Sequence, residues 1–459
     1  METPHFNINR RRFMKGASAL TLLSSFGTYG MDLIYRDKPW KVALIGTGWY
    51  GKMDLWRLMQ VAPVEVKALC DVDRIMLEGA AEQLKQRQPN ARPRLFKDYR
   101  KMLAETELDL VLIATPDHWH ALTAIEAIKS GCHVYLQKPI TVDVLEGEAI
   151  LSTARKYGKT VQIGTQRRST PHLKEAKEKI VDAGLLGKIG HVELCCYYHM
   201  RANGNPPIQE VPEFLDYEMW TGPAPLRPYD GLPHKRWWRT FMEYGNGIMG
   251  DMCVHMLDTV RWMLDLDWPN RISSEGGIYI QKEGKSNIAD TQSAVFEFDE
   301  FNCVWQHRSW GTPADPEYPW SFKIYGEKGT LAGSTMQWDF YPQGDGPRLH
   351  SDVLYEKELY PEDINEPDIE LNAVPATRRH MLDFLTAIET GGLPFSDILQ
   401  GHISSASCIV ANLSMQLGRP LRYDAASMSI PGDPEATALL KRGYREGWDH
   451  PFDTLRTEN

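Results

Sequence analysis

The chain is short of several things, and each shortage excludes something. Its seven cysteines, at positions 70, 132, 195, 196, 253, 303 and 408, form no CxxC pair and no zinc-type spacing. That argues against a disulfide framework and against a structural metal. Basic charge is in deficit: 51 Lys and Arg stand against 61 Asp and Glu, a formal net charge of −10. Nucleic acid is therefore not an expected partner, and a neutral small molecule suits the chain better than a polyanion. No apolar run approaches the roughly 20 residues of a membrane-spanning helix, and neither an internal repeat nor a low-complexity block occurs.

What is present is an ordinary globular composition, 42% apolar and 24% charged, over 459 residues. That length suits two domains with extensions. Fourteen Trp and nineteen Tyr offer flat, hydrogen-bonding faces of the kind sugar sites use, although most such residues serve cores.

The N-terminus has a character of its own. In "NRRRFMKGASALTLLSSFG", Arg10, Arg11 and Arg12 precede Phe13 and Lys15, and a weakly apolar stretch follows to about residue 27. This layout predicts a twin-arginine export signal over 1–30 and hence a periplasmic or otherwise exported protein, with 31–39 as an arm or linker.

From residue 41 strands and helices alternate. "KVALIG" (41–46), "VEVKALC" (64–70), "LDLVLIAT" (108–115), "HVYL" (133–136) and "TVQIG" (160–164) are separated by helical segments, which predicts βαβ units and a parallel sheet over 40–165. After about 165 the order changes. A helix over 171–184 leads into "HVELCCYYHM", and "SSEGGIYI", "QSAVFEFD", "NCVWQHRSW" and "SFKIYG" follow as strand after strand. The expected fold is thus an α/β Rossmann domain followed, over 166–430, by an α+β domain with a large, mainly antiparallel open-faced sheet. A Pro- and Gly-rich region, 201–247, is too long to be a mere connector. Residues 431–459 read as an exposed C-terminal extension.

"GTGWYG" places Gly46, Gly48 and Gly51 directly after the first strand and at the mouth of a helix. The glycines allow a tight turn, close approach of a pyrophosphate, and helix–strand packing. Asp71 ends the second strand, where a carboxylate accepts from the adenosine ribose hydroxyls and repels a 2′-phosphate. NAD is favoured over NADP, with nearby Arg74 keeping the second open. Further on, "GNGIMGDMCVHMLDTVRWML" (245–264) carries Asp251 and His255 four apart, so both are expected on one helix face, with Asp258 continuing the stripe. A carboxylate and an imidazole there suit proton transfer at a sugar hydroxyl.

The ordered set "GTGWYG", "ATPDHWH", "QKPI" and the "GD…H..D" helix resembles the glucose–fructose oxidoreductase / inositol dehydrogenase (Gfo/Idh/MocA) family, and "EMWTGPAPLRPY", "GTQRRST" and "YGEKGTL" resemble its exported branch. The resemblance implies Lys138, Asp251 and His255 as catalytic residues, with His255 the base in oxidation. It implies a cofactor site of Gly46, Thr47, Gly48, Trp49, Tyr50, Gly51, Asp71, Thr115, Pro116, Asp117, His120, Gln137, Lys138 and Gln166. Gln137 stands where the family has glutamate. An amide there still hydrogen-bonds a cofactor ribose but removes a negative charge beside Lys138. Homodimers or homotetramers through the open sheet face are a further implication.

Substrate-contact candidates are Arg168, Tyr229, Trp238, Arg239 and His255, with Arg167, His234 and Trp237 beside them. The expected activity is NAD-dependent hydride transfer at a ring carbon of a sugar, glycoside or polyol, with a tightly held, recycled cofactor. The alternative is an NAD-dependent glycosidase working by transient C3 oxidation and elimination, with Tyr197, Tyr198 or His199 as its second base. His118 and His120, two apart, diverge and predict no metal site, and the vicinal Cys195 and Cys196 should face opposite sides of a strand.

Overall fold

The computed structural model describes residues 38–197, 201, 204–234, 236–366 and 368–457. The twin-arginine segment, most of the arm, Tyr198 and His199 lie outside the described residues. The first layer is β1 (Trp40–Ile45), α1 (Trp49–Val61), β2 (Val64–Cys70), α2 (Arg74–Arg87), β3 (Arg94–Phe96), α3 (Tyr99–Glu105), β4 (Leu110–Ile113), α4 (His120–Lys129), β5 (His133–Leu136), α5 (Val144–Tyr157) and β6 (Val161–Ile163). All six strands are parallel, in the order β3-β2-β1-β4-β5-β6. Their near-continuous apolar runs, "VALI" and "LVLI", are what strands covered on both faces require. Asp73, Asp98 and Asp143 cap α2, α3 and α5 by accepting from first-turn N–H groups. The strand order reverses between β1 and β4, which opens a crevice at the carboxyl ends of the strands. The short edge strand β3 went unread in the sequence because Pro93 and charged neighbours mask it.

The second sheet has eight strands: β7 (Ile189–Cys196), β8 (Arg271–Gly277), β9 (Thr291–Glu297), β10 (Asn302–Arg308), β11 (Trp320–Gly326), β12 (Gly329–Ser334), β13 (Gln337–Pro342) and β14 (Leu349–Asp352). Its order is β14-β13-β12-β11-β7-β10-β9-β8, antiparallel except where β7 and β10 run parallel. One face carries Leu194, Cys196, Phe296, Trp305 and Phe322. It packs on α7 (Val254–Met263) and α9 (Ile398–Leu417) through Val254, Leu257, Ile409 and Val410. The alternation puts Cys196 in this core while Cys195 faces outward, as expected of a strand. The helix begun by α6 (Pro171–Ala176) passes into a π-helical turn, Lys177–Val181.

Two boundaries differ from the sequence reading. Helix α8 (Val374–Thr390), expected in the second domain, buries Met381, Phe384 and Leu385 against Trp40, Leu44 and Trp56 of the first. The loop before it is pinned to α1: Arg57 meets Glu366 at 2.6 Å, and Arg378 bridges Glu356 and Asp363 at 2.7 Å each. The C-terminal segment is likewise no exposed extension. His450 Nε2 and the Arg442 amide reach Asp143 Oδ2, both at 2.9 Å. Tyr444 donates to Glu146, and Trp448 packs edge-on against Trp119. The group Asp143, Glu146 and His450 has metal-ligand chemistry, yet these atoms are already engaged in holding the tail to α5. A stretch reading "WDHPFD" looks solvated in isolation, and only the fold supplies its buried partners.

Candidate functional site

The crevice begins at the glycine turn. Gly46 has φ +87°, and a Cβ there would fall 2.6 Å from the Ala114 carbonyl. A Cβ on Gly51 would fall 2.2 Å from the Gly46 carbonyl oxygen, whereas one on Gly48 would meet nothing within 4 Å. The first and third glycines are therefore fixed by the chain itself, and the second faces open space beside the amino end of α1. Thr47 donates to Asp71 Oδ2 from its amide at 2.7 Å and from Oγ1 at 2.9 Å, which locks that carboxylate at the rim of the turn. Arg74 pairs instead with Glu78 on its own helix, an arrangement that suits NAD better than NADP. A dinucleotide fits this cradle, with its pyrophosphate over Gly48 and its ribose at Asp71. Tyr50 accepts at its hydroxyl from Gln166 Nε2 at 2.6 Å, which ties the turn to the segment after β6. Trp49 turns outward and donates to the Asp368 carbonyl at 2.8 Å.

At the end of β5, Lys138 Nζ lies 2.7 Å from Asp251 Oδ1 and 3.0 Å from the Asp251 carbonyl. Arg239 Nε stands 3.5 Å from the other carboxylate oxygen. Burial pushes the Asp251 carboxyl upward, but these two cations together hold it below the usual carboxylate range. Asp251 therefore pairs with Lys138 rather than with His255. The turn that carries Asp251, Met249–Cys253, is π-helical. His255 Nδ1 is buried without a hydrogen-bond partner, and the ring packs edge-on against Trp320 at 5.4 Å. Burial, then the charges of Lys138 and Arg167, hold its imidazole well below its ordinary pKa, so it is neutral. Asp117 lies within the field of Arg239, Asp251 and Lys138, and burial pushes its carboxyl well up. The Thr115 hydroxyl is buried and unpartnered. His120 stands between the Pro139 carbonyl at 2.8 Å and the Thr115 carbonyl at 3.0 Å. Its ring braces the two loops that carry Thr115 and Lys138.

Gln137 shows what the departure from glutamate does. Its Nε2 donates to Asp54 Oδ2 at 2.6 Å, its Oε1 accepts weakly from the Lys138 amide at 3.3 Å, and its side chain packs against Gly164. The carboxylate missing at 137 thus reappears one turn into α1, and burial pushes Asp54 up to about 7. Gln137→Glu would set two carboxyls at hydrogen-bond distance, where only one can ionise. A carboxyl whose folded pKa is raised costs stability as pH climbs from its unfolded value towards the folded one. The variant is therefore expected to match the parent near pH 5 and to lose about 1–3 kcal/mol by pH 9. Denaturant midpoints at the two pH values measure this, and Asp54→Asn in the same background should restore the loss.

The substrate candidates separate. Trp238 and Arg239 belong to the site: the guanidinium lies 4.2 Å over the indole and reaches Asp251. Arg168 does not join it. Its Nε and Nη2 grip the two Asp258 oxygens at 2.7 and 2.8 Å, and Nη1 donates to the Phe395 carbonyl, so the side chain is a buried strut between helices. Tyr229 packs on Tyr217 beside His234, which reaches Asp73 Oδ2 at 2.9 Å. That places both at the adenosine end of the crevice, away from Lys138. Tyr197 points to the outer face of the second sheet, where its hydroxyl donates to Gln306, and is no base for elimination. His118 is a core residue bonded to the Trp220 carbonyl. Three participants escaped the sequence reading. Asp54 lies one helical turn beyond Gly51, a spacing that in hindsight faces β5. Trp320 and the tail's Arg442, which holds Asn246 at 2.8 Å, gave no local signal.

Residues 40–165 match an oxidoreductase family described by its NAD-binding Rossmann fold, and residues 172–294 match the family's C-terminal alpha/beta domain. An alpha-N-acetylgalactosaminidase of Shewanella oneidensis is 27% identical over 222 residues, 42% of this chain and 47% of that protein. The chain thus spans about half the length of the curated relatives it matches. Among solved structures, a levoglucosan dehydrogenase in complex with NADH and levoglucosan is 17% identical at a TM-score of 0.63, over 84% of this chain and 99% of its own. An inositol dehydrogenase homologue from Azotobacter vinelandii, complexed with NADH and myo-inositol, is 18% identical at 0.63, over 84% and 98%. At such identity the likeness is one of fold. Together with the glycine cradle, the two-domain match shows that the chain belongs to the Gfo/Idh/MocA family of NAD-binding oxidoreductases.

Proposed function

We propose that the protein oxidises, reversibly, a secondary alcohol carbon of a sugar, glycoside or polyol. The observation that carries this is the buried Lys138–Asp251 pair, 2.7 Å apart, beside a neutral His255 at the carboxyl edge of the parallel sheet. NAD, when bound in the cradle, supplies the hydride acceptor. Lys138 holds the substrate hydroxyl oxygen and stabilises negative charge developing on it, while Asp251 and Arg239 fix the position of the ammonium. His255, held neutral, is the acceptor we assign for the hydroxyl proton. The substrate loses a C–H and an O–H bond and gains a carbonyl; reduction reverses each step. Trp238 offers an aromatic face to the ring. Carrying an N-terminal twin-arginine pattern, the protein would be exported and would keep its cofactor between turnovers. A second copy would pack on the outer face of the eight-stranded sheet. No helix among the described residues is long and apolar enough to cross a membrane.

The similarity to an alpha-N-acetylgalactosaminidase favours one second reading, in which the same hydride step is followed by elimination and the hydride returns. Incubation with aryl glycosides separates the outcomes. A keto-sugar with reduced cofactor supports the oxidoreductase, and released aglycone without net reduction supports the glycosidase. Neither product from a panel of sugars, glycosides and polyols would sink both. Because His255 is held neutral, kcat/KM for oxidation should stay on its plateau from pH 8 down to about pH 6, below the ~6.5 of a free imidazole. An acid limb at or above pH 6.5 would contradict the assigned base.

A further inference from the structure

Several cations around the crevice stand against an acid. Lys138 and Arg239 share Asp251, and Arg168 and Arg261 flank Asp258. Arg167, on the 3-10 turn Gln166–Ser169 that follows β6, is only 3% exposed, and its Nε and Nη1 are buried with no hydrogen-bond partner. No carboxylate among the described residues pairs with it. Its guanidinium lies 5.4 Å over the Trp320 ring, the same ring that packs on His255. Its charge is felt by His255, His172 and Tyr50. A buried, unpaired guanidinium is costly, and an uncharged hydroxyl supplies a hydrogen bond but no countercharge. Its planar fork matches a carboxylate.

We propose that Arg167 is an anion subsite of the catalytic pocket and that the substrate carries a carboxylate, as in a hexuronic acid or its glycoside. The inference rests on the oxidoreductase reading for the position of the pocket, and it corrects the expectation of a neutral substrate drawn from net charge. Arg167 holds the acid group at one end of the pocket, past the neutral His255, while the reacting hydroxyl lies at Lys138 at the other. The neighbouring Arg168, adjacent in sequence, is excluded by its bidentate hold on Asp258.

The test uses the full, NAD-loaded protein with D-glucuronate and D-galacturonate against D-glucose and D-galactose. For the parent, kcat/KM is expected to favour the uronates by at least 30-fold. Arg167→Met should abolish that preference by lowering kcat/KM for the uronates far more than for the neutral sugars, and Arg167→Lys should restore part of it. Saturation binding by calorimetry runs alongside. If no sugar is turned over yet uronate binds and Arg167→Met abolishes binding, the subsite stands and the oxidoreductase reading fails. Equal use of acid and neutral sugars by the parent overturns the subsite, as does equal loss for both in Arg167→Met. Should Arg167→Met instead weaken NAD binding more than tenfold and leave the acid preference intact, the anion is a cofactor phosphate and the proposal falls.

Discussion

Lys138→Met is expected to slow hydride transfer by about 10²- to 10⁴-fold, the range for losing a positioned acid–base or electrostatic group. The side chain is of similar length, so the change removes charge and donors more than volume. Asp251 then keeps Arg239 as its remaining ion-pair partner, at 3.5 Å, and the pocket loses the cation nearest the reacting oxygen. Single-turnover reduction of bound NAD reads the step directly, and NAD affinity should fall far less than the rate because the glycine cradle is untouched. Lys138→Arg should rescue the rate only in part, since a guanidinium keeps the charge but its broad planar fork does not place a donor where the compact ammonium does. A Lys138→Met enzyme within tenfold of the parent would remove Lys138 from the mechanism.

Asp258→Ala is expected to cost about 3–5 kcal/mol of folding stability, because it strands buried cations. Asp258 is fully buried and accepts from Arg168 at both oxygens and from Ser404 at 2.8 Å. Arg261, beside it, feels the same charge. Denaturant midpoints measure the loss, and Asp258→Leu combined with Arg168→Met should recover part of it, since no Arg168 cation is left stranded while Arg261 still loses the Asp258 charge. An Asp258→Ala variant less than 1 kcal/mol below the parent would mean that Arg168 is free to serve the substrate after all.

Much of this protein was legible before folding. The turn "GTGWYG" needs glycine for reasons of backbone geometry, and the clashes at Gly46 and Gly51 are those the spacing implied. Strand and helix periods gave the parallel sheet, the later antiparallel sheet and the opposite faces of Cys195 and Cys196. Lys138, Asp251 and His255 were visible as an ordered set. Their partnership was not. Asp251 meets a lysine 113 residues earlier, and a pairing over that separation is set by the fold.

The sequence by itself therefore determined the local elements, the nucleotide turn and the identity of the chemical groups, because those depend on backbone sterics and short-range periodicity. Only the tertiary structure decided which groups face one another. Two adjacent arginines, 167 and 168, are indistinguishable in "GTQRRST", yet one is neutralised by Asp258 and the other is buried with no acid paired to it among the described residues. The missing glutamate at 137 likewise looked like a lost charge until packing brought Asp54 to within 2.6 Å. Pairing across hundreds of residues is set by burial and desolvation in three dimensions, and those leave no mark on neighbouring letters.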